Sequence, residues 1–282
     1  MEVVKKIADL KAKVEALKGA GKSIGLVPTM GALHRGHASL VERSVKENDV
    51  TIVSVFVNPT QFNDKNDLAN YPRTFEADRD LLESLGATIM FAPAAEEIYP
   101  EPDTRTFSYP PTDTVMEGAF RPGHFNGVCQ IVSKLFEFTQ PTHAYFGEKD
   151  FQQIAVIRAM AAEHFPGLNI CPCPIVREKD GLALSSRNTL LSADERQIAP
   201  NIYKALKASV DYAKNHTVEE TKQWTVDEIN AVEGLEVQYY EIVDAKTLAS
   251  IKDWKDAEHV QGCITVFCGK TPIRLIDNIN YK

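Results

Sequence analysis

The spacing of apolar residues predicts that helices and strands alternate over the first two thirds of the chain. Apolar residues at every third or fourth position from Val3 to Leu17 predict an amphipathic helix that ends at Gly19 and Gly21. The segment DVTIVSVFV is rich in β-branched residues without polar alternation, which is typical of a strand covered on both faces. Further helical and strand patterns follow in FEADRDLLESLG, ATIMFAP, VCQIVSKLFEFTQ, HAYFG, DFQQIAVIRAMAAEHF and LNICPCPIV. This alternation predicts an α/β fold with a doubly wound, Rossmann-like parallel sheet.

Two changes of pattern divide the chain. Residues 100–126 are rich in proline, glycine and threonine, and an irregular segment of this length is more often a functional loop than scaffold. After REKDGLALSSRN the sequence becomes a pair of helices followed by the strand-like runs GLEVQYYEIVD, GCITVFCG and TPIRLIDNINY. We therefore predict a larger domain over residues 1–176 and a second, smaller α+β domain over residues 177–282.

Composition and charge narrow the class of protein. The chain has 282 residues, of which 44% are hydrophobic and 25% charged, as in soluble globular proteins. No apolar run approaches the roughly 20 residues of a membrane span, and the N-terminal segment carries charges throughout, so we expect neither a membrane span nor a signal peptide. The formal net charge of −8 argues against a nucleic-acid partner, although a locally positive pocket would still hold one anionic ligand.

The five cysteines are odd in number and widely dispersed. This distribution favours free, buried thiols and a cytoplasmic protein. Cys171 and Cys173 alternate in one predicted strand, and they lack both the C-x-x-C spacing and the histidine partner that are expected of a metal site. A metal site there is the minor interpretation.

The segment GAGKS at residues 19–23 matches the end of a P-loop, G-x-x-x-x-G-K-[ST]. Counting back from Gly21 places the required first glycine at Ala16, so the motif is incomplete. The segment also follows a predicted helix and opens a strand, which is the reverse of a P-loop. We interpret it as a helix C-terminus and a turn.

The segment PTMGALHRGH lies between the end of the first predicted strand and the next helix, where α/β folds bind their ligands. Gly31 and Gly36 permit close backbone approach, and the start of the helix offers unpaired N–H groups to an anion. His34 and His37 share a face if the turn is already helical. We predict a phosphate site, with half of a metal site or two incidental surface histidines as the alternatives.

The H-x-G-H pattern after a first strand resembles the nucleotidyltransferase superfamily that includes the class I aminoacyl-tRNA synthetases. Its members bind ATP in an α/β domain, transfer AMP to an acceptor and carry a second phosphate loop further along the chain. The candidate here is ALSSRN, in which Ser185, Ser186 and Arg187 supply two hydroxyls and a guanidinium. Such a loop alone would be weak evidence, but its order after the histidine motif favours a nucleotide site.

Several longer blocks extend over essentially the whole chain: LVPTMGALHRGH, VSVFVNPTQF, YPRT, RPGHFNGV, YFGEKDFQQ, REKDGLALSSRN and RLIDN. In this order and spacing they closely resemble the pantothenate synthetase, or pantoate–β-alanine ligase, family. The resemblance implies an ATP-dependent condensation of pantoate with β-alanine to pantothenate, through a pantoyl adenylate, in coenzyme A biosynthesis. AMP and pyrophosphate are released. It also implies a homodimer formed through the larger domain.

Two other functions serve as alternatives. A nucleotidyltransferase of the same superfamily would act on another acceptor, and a phosphorylated acceptor would favour basic residues where this chain has Gln61 and Gln153. A non-catalytic nucleotide-binding protein on the same scaffold would have lost His37, Lys149 or Arg187, and all three are present.

By this resemblance, ATP lies along four segments of the chain, with Mg²⁺ on its phosphates and no side chain assigned as a direct metal ligand. The implied ATP-binding residues are Met30, Gly31, Ala32, Leu33, His34, Arg35, Gly36, His37, Gly147, Glu148, Lys149, Asp150, Val176, Leu184, Ser185, Ser186 and Arg187. The implied catalytic residues among them are His37, His34, Lys149 and Arg187. His37 would donate a proton to the phosphates, since a histidine is a cationic or neutral donor near neutral pH.

Lys149 would carry positive charge to the phosphates, Asp150 would accept from the ribose hydroxyls, and Val176 would contact adenine through its backbone. Leu184 stands where the family usually has methionine, and because leucine keeps the volume and apolarity we expect activity to survive.

The resemblance also assigns Gln61 and Gln153 to pantoate. An uncharged amide suits this acid, because a carboxylate would repel it and a lysine could be acylated by the adenylate. Asn58 is a weaker candidate near the phosphates or β-alanine. Arg121 and His124 in RPGHFNGV match a family block, but we assign them no chemical step.

Overall fold

A computed structural model describes residues 1–63 and 65–282 of the protein. Its α-helices are α1 (Ile7–Gly19), α2 (Arg35–Glu47), α3 (Lys65–Asn70), α4 (Phe75–Ser84), α5 (Ala95–Ile98), α6 (Glu117–Phe120), α7 (His124–Thr139), α8 (Phe151–His164), α9 (Ala193–Ile198), α10 (Asn201–Tyr212) and α11 (Val218–Asn230). Its strands are β1 (Glu2–Val4), β2 (Ile24–Thr29), β3 (Val50–Val55), β4 (Ile89–Phe91), β5 (His143–Gly147), β6 (Asn169–Cys173), β7 (Leu235–Asp244), β8 (Val260–Cys268) and β9 (Ile273–Asn280). Short 3₁₀ helices span Pro59–Gln61, Glu148–Asp150, Ser186–Leu190 and Trp254–Asp256.

In the described part of the chain, six parallel strands form one sheet in the order β1-β4-β3-β2-β5-β6, and β7, β8 and β9 form an antiparallel sheet. The predicted α/β fold with a smaller α+β region after it is therefore confirmed. The chain runs outward from β2 in one direction through β3 and β4, and in the other through β5 and β6. The strand order thus reverses between β2 and β5, and in open α/β sheets such a switch point is where ligands bind.

The N-terminal helix predicted from Val3 begins only at Ile7. Glu2–Val4 forms β1 instead and pairs with β4, Glu2 opposite Ile89 and Val4 opposite Phe91. A three-residue strand is too short for alternation to distinguish it from the helical spacing that follows. The helix ends at Gly19, as predicted, and Gly21 follows with a φ of 70°.

The GAGKS segment lies at the start of β2, at the opposite end of the sheet from the switch point. Lys22 Nζ and the Ser23 hydroxyl both donate to Asp49, at 3.1 and 2.8 Å. These contacts agree with the interpretation of GAGKS as a turn and with the rejection of a P-loop.

Helix α11 was not predicted because threonine occupies much of its buried face. Val218, Thr221, Thr225 and Ile229 are buried against the antiparallel sheet. The two threonine hydroxyls donate to the carbonyl oxygens four residues earlier, at 2.8 and 2.7 Å, so their burial leaves no polar group unpaired. The apolar periodicity that marks an amphipathic helix is therefore interrupted in the sequence.

Two large clusters of buried side chains centre on the two sheets. The parallel sheet contributes Leu26 and Ile52, and the antiparallel sheet contributes Val260 and Val266, all fully buried. The predicted boundary at residue 176 lies between Cys173, which ends β6, and Leu182, which belongs to the second cluster. The boundary itself stays a prediction.

The structure also bears on the thiols and on membrane association. All five cysteines are free, as predicted, and four of them are buried. The prediction of a buried thiol is wrong for Cys171, which is half-exposed on β6, an edge strand of the parallel sheet. Within the described residues, no helix combines the length and the apolarity that a membrane crossing requires.

Candidate active site

A cavity of about 210 Å³ lies at the carboxyl ends of β2 and β5, at the switch point of the sheet. It brings together residues that are far apart in the sequence. The predicted site residues that line it are Met30, His34, Gly36, His37, Asn58, Gln61, Gly147, Lys149, Asp150, Gln153, Val176, Leu184, Ser185, Ser186 and Arg187. The remaining predicted residues, Gly31, Ala32, Leu33, Arg35 and Glu148, do not line it.

The turn before α2 explains why part of the histidine segment is turned away from the cavity. Gly31 and Ala32 have φ values of 84° and 49°, a left-handed conformation that is unusual for alanine. The N–H groups of Ala32 and Leu33 donate to the Asp78 carboxylate at 3.0 and 2.8 Å. Arg35 is exposed and pairs with Glu42 on the outer face of α2.

Asp78, on α4, was not predicted as a site residue, yet it holds this turn. Its side chain is buried, with 2% of the residue exposed, and it also accepts from the Thr74 hydroxyl at 3.1 Å. The sequence carried one signal: Asp78 stands four residues before Leu82, on the face of α4 that the structure buries. A carboxylate on the buried face of an amphipathic helix requires partners, and here these are backbone N–H groups.

The hydrogen bonds of the two histidines fix their tautomers. His34 Nδ1 accepts from the Gly36 N–H at 3.1 Å, and His37 Nδ1 accepts from the His34 N–H at 3.3 Å. Together these bonds form a capping box at the start of α2. Since Nδ1 is the acceptor in each neutral ring, the proton lies on Nε2. Both residues therefore offer an Nε2–H donor, and their ring centroids are 4.1 Å apart.

Burial favours the neutral form of both imidazoles. Burial, followed by the charge of Lys149, lowers the pKa of His34 from 6.5 to about 4. Burial, together with His34 and Lys149, holds the pKa of His37 well below 6.5. The sequence allowed a cationic or a neutral donor, and both pKa shifts favour the neutral one. An anionic ligand would raise both pKa values, because it favours the charged form of the imidazole.

Strand β9 of the antiparallel sheet holds the Glu148–Lys149 backbone in place. Asn278 on β9 donates from Nδ2 to the carbonyl oxygens of Glu148 and Lys149, at 2.8 and 3.1 Å. Asp277, the preceding residue, forms two hydrogen bonds with Arg177 at 2.6 and 2.8 Å. In the sequence, these two polar residues stand out within an apolar strand. Their position indicates a polar contact, but local pattern could not identify Glu148 and Lys149 as the partners of Asn278.

The segment from Leu184 to Arg187 faces the histidine turn across the cavity. The Ser186 hydroxyl donates to the Ala32 carbonyl at 3.0 Å, and Ser185 Oγ accepts from the Arg187 N–H at 3.2 Å. Arg187 Nη2 donates to Asp67 Oδ2 at 2.8 Å, so in this state the guanidinium is paired with a carboxylate of α3. The predicted phosphate-binding cation therefore has a counterion of its own.

Asn58 and Gln61 form a fixed pair at the far wall of the cavity. Asn58 Nδ2 donates to Gln61 Oε1 at 3.1 Å and to the Gly127 carbonyl at 3.1 Å, while its Oδ1 accepts from the Tyr99 hydroxyl at 2.8 Å. Only 1% of Asn58 is exposed. Asn58 is thus placed to orient Gln61, and its predicted contact with phosphate or β-alanine stays a prediction.

A larger cavity of about 450 Å³ adjoins the first one and opens between the two sheets. The two cavities share Lys149, Asp150, Gln153, Ser185 and Arg187. The shared wall connects the space between the two sheets to the switch point. Among the described residues, no group of three or more histidine, cysteine or acidic side chains could hold a metal ion.

These features define a class of enzyme. Two imidazole donors, a lysine and an arginine surround one cavity at the switch point of an α/β sheet, and the H-x-G-H turn lies at its helix N-terminus. This is the site of a nucleotidyltransferase, a protein that binds a nucleoside triphosphate and transfers its nucleotide part.

Comparison with known proteins identifies the family within that class. The family described as Pantoate-beta-alanine ligase matches residues 2–280. The chain is 64% identical to a pantothenate synthetase of Phocaeicola vulgatus, with 100% of both chains covered. It superposes on a crystal structure of pantothenate synthetase from Thermus thermophilus with a TM-score of 0.93 and 42% identity, covering 100% of this chain and 99% of that one.

A second solved structure, of a pantoate-beta-alanine ligase from Francisella tularensis complexed with Beta-gamma ATP and Beta-alanine, gives a TM-score of 0.83 at 34% identity, covering 100% of this chain and 98% of that one. The chain belongs to the pantoate–β-alanine ligase family. The matches favour the ligase over a nucleotidyltransferase that acts on another acceptor.

Proposed function

We propose that the protein joins pantoate to β-alanine at the expense of ATP, releasing AMP and pyrophosphate. The observation that carries this proposal is the convergence of His34, His37, Lys149 and Arg187 on one cavity at the switch point, in a chain of this family. A carboxylate and a triphosphate, both anionic, must meet there. The main tasks of the protein are therefore positioning and neutralisation of charge.

The phosphates would lie over the N-terminus of α2. There the two Nε2–H donors, the Lys149 ammonium and the Ser185 and Arg187 side chains would face the oxygens that gain charge in the transition state. The adenosine would extend toward Asp150 and Val176. The Val176 carbonyl already accepts from the Leu184 N–H at 3.0 Å, which fixes the loop that would close over the nucleotide.

Pantoate would occupy the part of the cavity near Gln61 and Gln153. The wall there is apolar, with Val128, Ile131 and Val132 among its residues, and it suits a geminal dimethyl group. The glutamine amides offer uncharged hydrogen-bonding groups for the hydroxyls and the carboxylate. Such a site holds an acid without fully neutralising it, so that the carboxylate oxygen stays nucleophilic.

Mg²⁺ would enter with ATP. Asp67 lines the larger cavity beside Lys149 and Arg187, and Mg²⁺ is usually held by one or two carboxylates together with substrate phosphates. The residues present therefore fit this ion. When bound, it would neutralise the departing pyrophosphate.

The reaction then has two steps. A pantoate carboxylate oxygen attacks the α-phosphorus, the bond to the β-phosphate oxygen breaks, and pyrophosphate leaves. The amine of β-alanine next attacks the acyl carbon, loses a proton and forms the amide, while AMP departs with the former acyl oxygen. The cleft between the domains gives β-alanine a path to the acyl carbon that does not require the nucleotide to leave.

The test is an AMP-release assay with MgATP, pantoate and β-alanine in which each component is omitted in turn. Steady AMP release should need all three substrates, and MgATP with pantoate alone should give a single burst of pyrophosphate. Gln61→Glu should raise the KM for pantoate by more than tenfold through charge repulsion, about 1.4 kcal/mol. Gln197→Glu, at an exposed position of α9, is the matched control and should leave it unchanged. Pyrophosphate release that ignores pantoate would refute the proposed reaction.

The family resemblance further supports a cytoplasmic homodimer assembled through the larger domain, with the domain boundary near residue 176. Sedimentation of the purified chain at micromolar concentration tests the dimer. A variant truncated after residue 176 that retained the dimer would support the assignment of the interface.

A further inference from the structure

The block RPGHFNGV includes Arg121 and His124, which have no assigned role in the proposed reaction. His124 begins α7 and is 7% exposed, and Arg121 lies three residues before it. Both line the larger cavity and not the smaller one, which Gln61 lines. Both nevertheless contact the backbone of Gln61, the residue proposed to bind pantoate.

The contacts determine the state of the His124 ring. Arg121 Nη1 lies 3.2 Å from His124 Nε2, and a guanidinium can only donate, so Nε2 is the acceptor. The proton is therefore on Nδ1, which donates to the Gln61 carbonyl at 2.8 Å. Arg121 Nη2 adds a longer bond of 3.4 Å to the same carbonyl. Burial, followed by the charge of Arg121, lowers the pKa of His124 to about 4, which keeps the ring neutral at neutral pH.

Arg121 is in turn bound to the second domain through Glu117. The Glu117 carboxylate lies 3.5 Å from Arg121 and accepts two bonds of 2.6 Å from Arg274 on β9. It also accepts from the hydroxyls of Tyr239 and Thr265, at 2.7 and 2.9 Å. One buried carboxylate therefore joins three strands of the antiparallel sheet to the loop that carries Arg121.

Gln61 is held from its other side as well. Asn58 bonds its side-chain oxygen, and Gly127 packs so closely that a Cβ there would lie 2.4 Å from the Thr60 carbonyl oxygen. The backbone around Gln61 thus cannot shift toward α7. With the carbonyl fixed by His124, the direction of the amide side chain into the cavity is set.

We propose that Arg121 and His124 are positioning residues for the acid substrate: they hold the Gln61 carbonyl so that the Gln61 amide meets pantoate, and Glu117 and Arg274 make this support depend on the second domain. The inference rests on the proposed function of Gln61.

The test separates the KM for pantoate from the KM for ATP. His124→Phe keeps the ring volume and removes the donor, and it should raise the pantoate KM about tenfold while the ATP KM changes less than twofold. His124→Asn keeps a donor at the position of Nδ1 and should restore most of the affinity. Glu117→Gln should raise the pantoate KM, and its effect should not add to that of His124→Phe.

Controls distinguish the possible failures. His216→Phe removes an imidazole whose Nδ1 bonds the Tyr212 carbonyl at the same 2.8 Å, remote from both cavities, and it should leave both KM values unchanged. If Gln61→Met leaves the pantoate KM unchanged, the role of Gln61 is wrong and this inference falls with it. If Gln61→Met raises the pantoate KM but His124→Phe does not, or raises both KM values equally, positioning by His124 is refuted while the proposed reaction stands. Should His124→Phe not fold, Arg121→Met carries the same test.

Discussion

The tautomer of His37 makes a prediction that separates two substitutions of similar chemistry. A glutamine at this position places its amide nitrogen near the site of Nε2, whereas an asparagine reaches only as far as Nδ1, where its Oδ1 would accept the His34 N–H. Since Nδ1 of His37 accepts a backbone N–H and Nε2 offers the donor, His37→Gln keeps a donor toward the cavity and His37→Asn does not. We expect the glutamine variant to be the more active of the two.

The magnitudes follow from the two bonds. Loss of one preorganised donor to developing charge costs about 2.7–4 kcal/mol in the transition state, which lowers the rate of adenylate formation by about 10²–10³-fold in His37→Asn. The bond from the His34 N–H to His37 Nδ1 is long, at 3.3 Å. Its loss in the glutamine variant should reduce the free energy of unfolding by roughly 0.5–1 kcal/mol. Catalysis should therefore suffer far more than stability.

The assay is rapid-quench measurement of pyrophosphate formed in a single turnover from MgATP and pantoate, without β-alanine. Urea unfolding of each variant measures stability in parallel. Equal rates for the asparagine and glutamine variants, or a faster asparagine variant, would refute the tautomer assignment.

The pH profile gives a second check: because the pKa of His37 lies well below 6.5, its Nε2 proton stays in place at higher pH. The kcat/KM for ATP should not fall with titration of His37 between pH 6.5 and 8, and a tenfold loss per pH unit there would require a cationic donor.

Two further predictions concern residues behind the cavity. Asp78→Ala leaves the N–H groups of Ala32 and Leu33 without their acceptor. We therefore expect the free energy of unfolding, measured with urea, to fall by about 1–3 kcal/mol and the KM for ATP to rise. An unchanged KM for ATP would mean that the turn keeps its shape without Asp78. His124 has a pKa of about 4 in the folded protein against 6.5 when exposed, so the unfolded chain binds the extra proton between these values and stability falls as the pH decreases through this range. Between pH 7 and 5 this residue should cost about 2 kcal/mol, and urea unfolding of His124→Phe should show a correspondingly smaller loss; an equal loss in both proteins would contradict the assignment.

Local pattern predicted the parts of the fold that depend on neighbours in the sequence. The strands β2, β3 and β5 and the helices α2 and α8 were expected from apolar periodicity, and the phosphate turn from glycines and histidines placed after a strand. Helix α11 was missed because threonines occupy its buried face, and β1 because three residues carry too little pattern.

The supporting contacts of the site could not be predicted in the same way. Asp78 meets the histidine turn across more than forty residues, and Asn278 meets Lys149 across 129. Which polar residue pairs with which backbone group over such distances depends on how the sheets pack, and apolar spacing does not record it. The sequence shows only that these polar residues stand among apolar ones.

The pairing of Arg187 with Asp67 has a consequence for turnover. If Arg187 turns toward the phosphates, ATP binding exchanges one counterion of the guanidinium for another, and the net gain is the difference between two ion pairs. The same carboxylate can reclaim the arginine when pyrophosphate forms. This exchange limits how tightly pyrophosphate is retained. Arg187 can therefore attract ATP without delaying the departure of pyrophosphate.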